Sequence, residues 1–471
     1  MFLFLFTAAL VIANIYYFAN KKYIYLFIPC MLFLPDYYAI EISYSLPLLT
    51  AKRIMLIVFF AYTFKNKRKP ISIRHLLSKD HWMLVAYFSI RLFSNLYYVT
   101  TYTQPIKTIL SLIIEQFLLL VAFHMLNLTE HELSTLFKSI VWSATALFIL
   151  GIIEALTGMR IFTFLYSVSR SMHNDFYYRL GLIRATASMG MPNLYGNMCA
   201  FIAPLIIYLI KTTKEKKYLV IMFLDILATI HSGCRSDLII LALLLLCDIV
   251  LSFKKDELLM IAKNVSIVLA MLLVWIMLFS SISNKLNYYY SATIKSVFNL
   301  VGFNFDLNAG APEGVDGYGN NVDGVYSRTF QLSAIEDVLS KNPLFGFGSG
   351  CEKRGDLLYL YGDEYYQGFG YDLGIVEVIC SEGLIGLLAF IFLFLWAIQT
   401  LFKVIRITTI KSKESKLSIF LLLTYLLSTL STMNMYSFLI LIIALLLHYY
   451  SINNHDFNVD NVQREAKGNL R

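Results

Sequence analysis

Three arginines occupy positions where a cation needs a reason. Arg235 closes the string His231-Ser232-Gly233-Cys234 in a short turn between two apolar runs, where an unpaired charge is expensive. Arg184 ends a segment, 158–192, that also carries Arg160, Arg170 and Arg179. Arg328 begins a helical pattern inside a much longer polar segment, 284–370. A guanidinium presents a planar fork that grips phosphate oxygens bidentately, so the chemistry suggested is the holding of an anion. Blander roles stay open: Arg235 can pair with Asp237 or reach headgroups, and Arg328 can sit on a solvated helix face.

Other residues join them. In Met189-Gly190-Met191-Pro192-Asn193, Pro192 suits the first turn of a helix and Gly190 a tight approach. The positive end of that helix, beside Asn193, is either another place for an anion or only a capped start. Tyr326 shares a helical face with Phe330, Ala334, Ile335 and Val338. Tyr359, Tyr361, Tyr365, Tyr366, Phe369 and Tyr371 follow. Such rings either stack on sugars or form an interfacial belt.

The elements that must position these residues are membrane helices. Of 471 residues, 58% are hydrophobic and only 15% charged, where a soluble domain carries about 25%. Mean hydropathy is +0.65. These values exclude a soluble enzyme, a disordered chain and a disulfide-stapled secreted domain. Thirteen apolar runs read as spans: 2–19, 23–40, 46–64, 81–99, 106–126, 138–157, 193–210, 218–232, 236–253, 264–283, 371–401, 417–432 and 435–450. The expected organisation is N-terminal spans over 1–157, the Arg-rich loop 158–192, central spans over 193–283, the long loop 284–370, C-terminal spans over 371–450 and a tail over 451–471. Loop 284–370 is too long for a connector. Within it the spacing predicts an amphipathic helix over 325–339.

Charge order sets the orientation. Lys21-Lys22 follow the first run, so the N-terminus belongs outside and the tail inside. The inside loops then hold 24 of the 39 basic residues, 19 of them Lys, and the outside segments hold 14, of which 8 are Arg. The net charge of +8 thus reads as topology and not as nucleic-acid binding. The six cysteines show no CxxC spacing, although Cys234 and Cys351 can meet outside the membrane. Inside the spans, Arg91 and Glu115 suggest a buried pair, while Glu154 and Asp248 lie near span ends and read as solvated. No metal-binding acidic cluster stands beside the outside cations, and Asp363-Glu364 reads as solvated.

Three segments in order resemble the O-antigen polymerase and ligase superfamily. They are Arg184 through Asn193 to Asn197, then Cys234-Arg235-Ser236, then Ser327-Arg328 with Asn342-Pro343-Leu344-Phe345-Gly346-Phe347-Gly348 followed by Ser381-Glu382-Gly383-Leu384-Ile385-Gly386. The similarity spans about 184–390, and Cys234 before the Arg departs from the pattern. It implies a GT-C-like glycosyltransferase of the inner membrane, working on undecaprenyl-diphosphate-linked glycan at the periplasmic face. Ligases carry a His eleven residues before the Gly of the last motif. Here that position is Asp372, and no His lies between His231 and His448. The resemblance is therefore to Wzy-type polymerases, with Arg235 and Arg328 as metal-independent electrostatic catalysts, Asp372 as a base or a helix cap, and Arg184, Asn193, Tyr326 and Tyr371 as substrate contacts. It implies no cofactor, contact with membrane lipids, and a chain-length regulator protein as a partner. The alternatives are an O-antigen ligase or a flippase for the lipid-linked oligosaccharide.

Overall fold

The computed structural model describes residues 1–42, 47–68, 79–168, 177–252, 254–300, 302–313, 315, 322–361, 364–368, 370–409, 412–432 and 434–451. Among the described residues the protein is all-α apart from three two-stranded hairpins. Its helices are α1 Phe2–Ala19, α2 Ile24–Phe33, α3 Ala51–Asn66, α4 Trp82–Leu96, α5 Gln104–Leu126, α6 Glu130–Thr157, α7 Pro192–Thr213, α8 Lys217–Ser232, α9 Arg235–Val250 and α10 Lys255–Ile282. Then come α11 Asn284–Leu300, α12 Val322–Lys341, the one-turn α13 Cys351–Arg354, α14 Gly374–Thr408, α15 Lys413–Ser431 and α16 Tyr436–Ser451. Among the described residues, six helices are long and apolar enough to cross a membrane: α1, α5, α6, α7, α10 and α14.

Each of the thirteen apolar runs holds a helix, but not always over its full length. The run 23–40 folds as the ten-residue α2, about 15 Å long. Leu34 precedes Pro35 and is extended (ψ 141°), because a residue before proline is driven out of the helical region. The chain then forms β1 Ala39–Ile40, which pairs with β2 Leu49–Thr50. Thr50 caps α3 by accepting from Arg53 N–H at 3.2 Å.

α7 lies at the centre. Its small residues, Gly196, Cys199, Ala200 and Ala203, let neighbours approach, and most of its residues are buried. Around it α6, α8, α9, α15 and α16 share one core, with Phe137, Phe148, Phe201, Tyr425 and Phe438 among its largest members. Lysines gather at one end of this bundle. Lys211 at the foot of α7 pairs with Asp248 near the end of α9. Lys416 of α15 donates to Ser252 Oγ at 3.2 Å and pairs with Glu257 at 3.3 Å, and Lys403 of α14 pairs with Asp80 at 2.7 Å.

At the other end, segment 284–370 builds its own small structure. α12 covers the predicted helix and buries Ala334 and Val338 on the expected face. It packs on β5 Leu358–Tyr361, which pairs with β6 Glu364–Gln367, and on α14. α11 had no counterpart in the expected elements; it buries Tyr288, Tyr289 and Tyr290. Within α14, Gly383 breaks the helix with φ 66° and ψ −159°. The freed backbone is paired by the glycine turn: Phe347 N–H donates to Cys380 O (2.8 Å), and Leu384 and Ile385 N–H donate to Pro343 O (2.9 Å) and Leu344 O (3.1 Å). The two motifs of the third similar segment, 343–348 and 381–386, are thus in direct contact.

Candidate functional site: an arginine cluster at two helix starts

The α8–α9 turn is two residues long. Gly233 ends α8 in the left-handed region (φ 67°), Cys234 follows as an extended cap, and Arg235 is the first residue of α9. Facing this turn is a hairpin, β3 Tyr178–Arg179 with β4 Leu182–Ile183. Its two-residue turn, Leu180-Gly181, has positive φ at both positions (50° and 81°), the geometry that matches strand twist. The hairpin delivers two arginines to the C-terminal carbonyls of α8, the negative end of that helix. Arg179 donates to Gly233 O at 2.5 Å and Arg184 Nε to Ser232 O at 2.8 Å. Arg184 Nη2 also donates to Asn193 Oδ1 at 2.9 Å and to Cys234 Sγ at 3.2 Å. A side chain at Gly233 would press on both, with its Cβ 3.1 Å from Arg184 Nε and 3.2 Å from Arg179 Cδ.

Arg179, Arg184 and Arg235 therefore converge where α7 and α9 begin. Burial first, then the charges of Arg235 and Arg184, pushes Arg179 down to about 9. A guanidinium keeps its proton in proteins, so three like charges stand close together here, with the Asp237 carboxylate nearby. The helix starts add to the positive potential. Asp237, in the first turn of α9, is fully buried, and its carboxylate packs so tightly on Gly196 that a Cβ there would overlap it. One wall is aromatic: Tyr289 OH donates to Ile230 O at 2.7 Å and its ring stacks on His231, while Tyr290 OH meets His231 Nε2 at 3.1 Å.

No family model and no curated protein matches the chain.

Of the residues singled out from sequence, Arg184, Arg235 and Asn193 meet in this cluster. Arg179, in sequence one more loop cation, joins them because the Leu180-Gly181 turn directs it inward; Gly181 is the one sequence signal of that turn. Asp372 stands elsewhere. Its Oδ2 accepts from Gln331 Nε2 at 3.0 Å and its N–H donates to Gln331 Oε1 at 2.8 Å, a reciprocal pair with α12. Arg328 lies on α12 one turn before Gln331. The side chains of Arg328 and Tyr326, and all of Arg170, Asp363, Phe369 and 452–471, lie outside the described residues. Tyr371 is a core residue, buried with its hydroxyl 2.8 Å from Cys351 Sγ. A row of contacts connects the two groups at this end of the bundle. Asn197, one turn below Asn193, accepts from Ser428 Oγ at 2.5 Å, and Thr432, one turn above Ser428, accepts from Gly374 N–H at 2.8 Å.

Several sequence expectations are corrected. Arg91 pairs not with Glu115 but with Glu382, at 2.7 Å, with both side chains nearly fully buried. The break at Gly383 turns Glu382 toward α4, where Asn95 Nδ2 also donates to it at 3.3 Å. Glu115 instead pairs with Arg53 and accepts from Ser111 Oγ at 2.9 Å, inside a widened π turn of α5. Glu154 and Asp248 are buried, not solvated. All six cysteines are free. Among the described residues, no three His, Cys, Asp or Glu side chains gather as metal ligands.

Proposed function

We propose that the protein polymerises undecaprenyl-diphosphate-linked oligosaccharide repeat units into an O-antigen-type polysaccharide, at the periplasmic face of a bacterial inner membrane. In this reading it is a metal-independent, GT-C-like glycosyltransferase with thirteen spans. The observation that carries the proposal is the arginine cluster and its position. Arg235 begins α9 and Asp248, on the lysine-rich end, lies 13 residues later, about 20 Å along the axis. Lysines on one end fit the cytoplasmic side, which leaves the guanidinium groups on the far side.

The reaction needs what this cluster offers. The bond broken joins the anomeric carbon of the growing glycan to its diphosphate, and a hydroxyl of the next unit takes its place. The developing charge of the departing diphosphate is stabilised by fixed cations that need no reorganisation. The hydroxyl proton goes to a carboxylate, for which Asp372 is the candidate, or to the leaving diphosphate. The contact row from Asn193 to Gly374 supports donor and acceptor regions at one end of the bundle.

A flippase is the second reading, favoured by one observation: α14 is broken at Gly383, as helices of transporters often are. That break is filled by the chain's own Pro343–Phe347 turn, so it presents no open backbone to a cargo. The deciding experiment is the glycan ladder of a deletion strain. Loss of a polymerase leaves lipid A-core bearing one repeat unit. Core with none, and polymer left on its carrier, would indicate the ligase. Repeat units trapped on the inner leaflet would indicate the flippase.

A further inference from the structure

Glu154 is a buried carboxylate with a costly position and no place in the chemistry above. It lies three residues from the end of α6 and is 3% exposed. Replacing a buried ion pair with apolar residues is often neutral or stabilising, so such a group is weak evidence of a stabilising role alone. What Glu154 does geometrically is specific. Its Oε1 accepts from Thr186 Oγ1 at 2.7 Å, and its Oε2 accepts from the N–H groups of Thr186 at 3.2 Å and Ala187 at 2.7 Å. Arg160 Nε lies 3.3 Å from Oε1, and Arg160 Nη2 donates to Thr186 Oγ1 at 3.2 Å.

These donors belong to the turn that directly follows Arg184. Ala187 has φ 42°, a left-handed conformation unfavourable for a non-glycine residue. The converging N–H groups require an acceptor at that point, and Glu154 is that acceptor. On its other side, Arg184 is held by its own N–H to Tyr177 O at 2.7 Å and by Ala185 N–H to His231 O at 2.9 Å. The backbone of 184–187 is therefore clamped between α6 and the end of α8, and this clamp sets where the guanidinium lands.

We propose that Glu154 is the positioning residue for Arg184, acting through the Thr186-Ala187 turn to fix the anion site without touching the anion. This rests on the reading of the cluster as a diphosphate site. Glu154→Gln keeps the volume but removes the charge, and sets an amide N–H₂ either against the backbone N–H groups of Thr186 and Ala187 or against Arg160 Nε. Hydrogen bonds to charged groups at the usual strength give an expected loss of about tenfold or more in affinity.

The test is a double-mutant cycle on full-length protein in nanodiscs, with undecaprenyl diphosphate as the probe. Glu154→Gln and Arg184→Ala, made singly and together, are compared with the pair Glu154→Gln and Arg179→Ala. The prediction is that Glu154→Gln weakens binding, and that its loss largely disappears in the Arg184→Ala background but persists with Arg179→Ala. A general folding defect would act equally in both backgrounds. Thr186→Val, which removes the hydroxyl's bonds to Glu154 and Arg160 but keeps the backbone ones, must show the same coupling to Arg184, and it serves if Glu154→Gln does not accumulate. Full binding by Glu154→Gln and Thr186→Val beside a wild type that binds would overturn the positioning role alone. A wild type that does not bind would remove the diphosphate reading and the role together.

Discussion

Gly383→Ala tests whether the glycine turn and the break in α14 form one device. Gly383 has φ 66° and ψ −159°, a region open essentially to glycine alone, and alanine there costs about 1–3 kcal/mol. The added Cβ would also fall on Leu344 O and within 2.5 Å of Gly346 N. These are backbone atoms, so the turn 343–347 must leave. Its departure breaks four hydrogen bonds, from Phe347, Leu384 and Ile385 N–H and from Tyr98 OH to Gly346 O, at about 1 kcal/mol each. The total is about 5–7 kcal/mol. Gly310→Ala is the control, because Gly310 also has positive φ (86°) but nothing within 4 Å of the new Cβ, so only about 1–2 kcal/mol of strain applies. Thermal unfolding in nanodiscs should show a much larger fall for Gly383→Ala, and trypsin should cut sooner at Lys353, just beyond the released turn. Equal melting temperatures and equal cleavage for the two variants would refute the reasoning.

Arg91→Ala leaves Glu382 buried and uncompensated, which should destabilise by about 3–5 kcal/mol. The double variant Arg91→Met with Glu382→Leu should recover most of that in SDS-induced unfolding. Gly233→Ala presses on both Arg179 and Arg184 and strains a left-handed residue, so it should weaken undecaprenyl diphosphate binding more than Gly310→Ala does in the same assay. Asp80→Asn should lower stability slightly at pH 7, by about 0.2–1 kcal/mol for an exposed pair. The hydrogen bond from Lys403 holds Asp80 below the usual carboxylate range, so its contribution is present above the unfolded-state value and is lost as pH falls through the lower folded one. The gap between wild type and Asp80→Asn melting curves should therefore shrink below about pH 4.

Local signals carried much of this architecture. Apolar runs located the helices, Pro192 sits at the start of α7, and the face through Ala334 and Val338 is the buried face of α12. Asn193 and Arg235 were legible because each stands in the first turn of a helix, and Arg184 because it is a cation in a segment between apolar runs. What escaped was non-local. Arg91 and Glu382 are 291 residues apart in sequence, so neighbouring helices suggested Glu115 instead. Arg179 enters the cluster only through a hairpin turn, and Tyr371 turns inward because Cys351 and Val338 complete a small core around it. Glu154 read as solvated because a carboxylate near a helix end usually is. Only the folded loop brings it the donors of Thr186 and Ala187.

The most direct measurement is a structure of the protein in nanodiscs with undecaprenyl diphosphate. The diphosphate should lie among the guanidinium groups of Arg179, Arg184 and Arg235, at the start of α7 and α9. Density for it at the lysine-rich end of the bundle, or an empty cluster while the carrier is held elsewhere, would contradict the account.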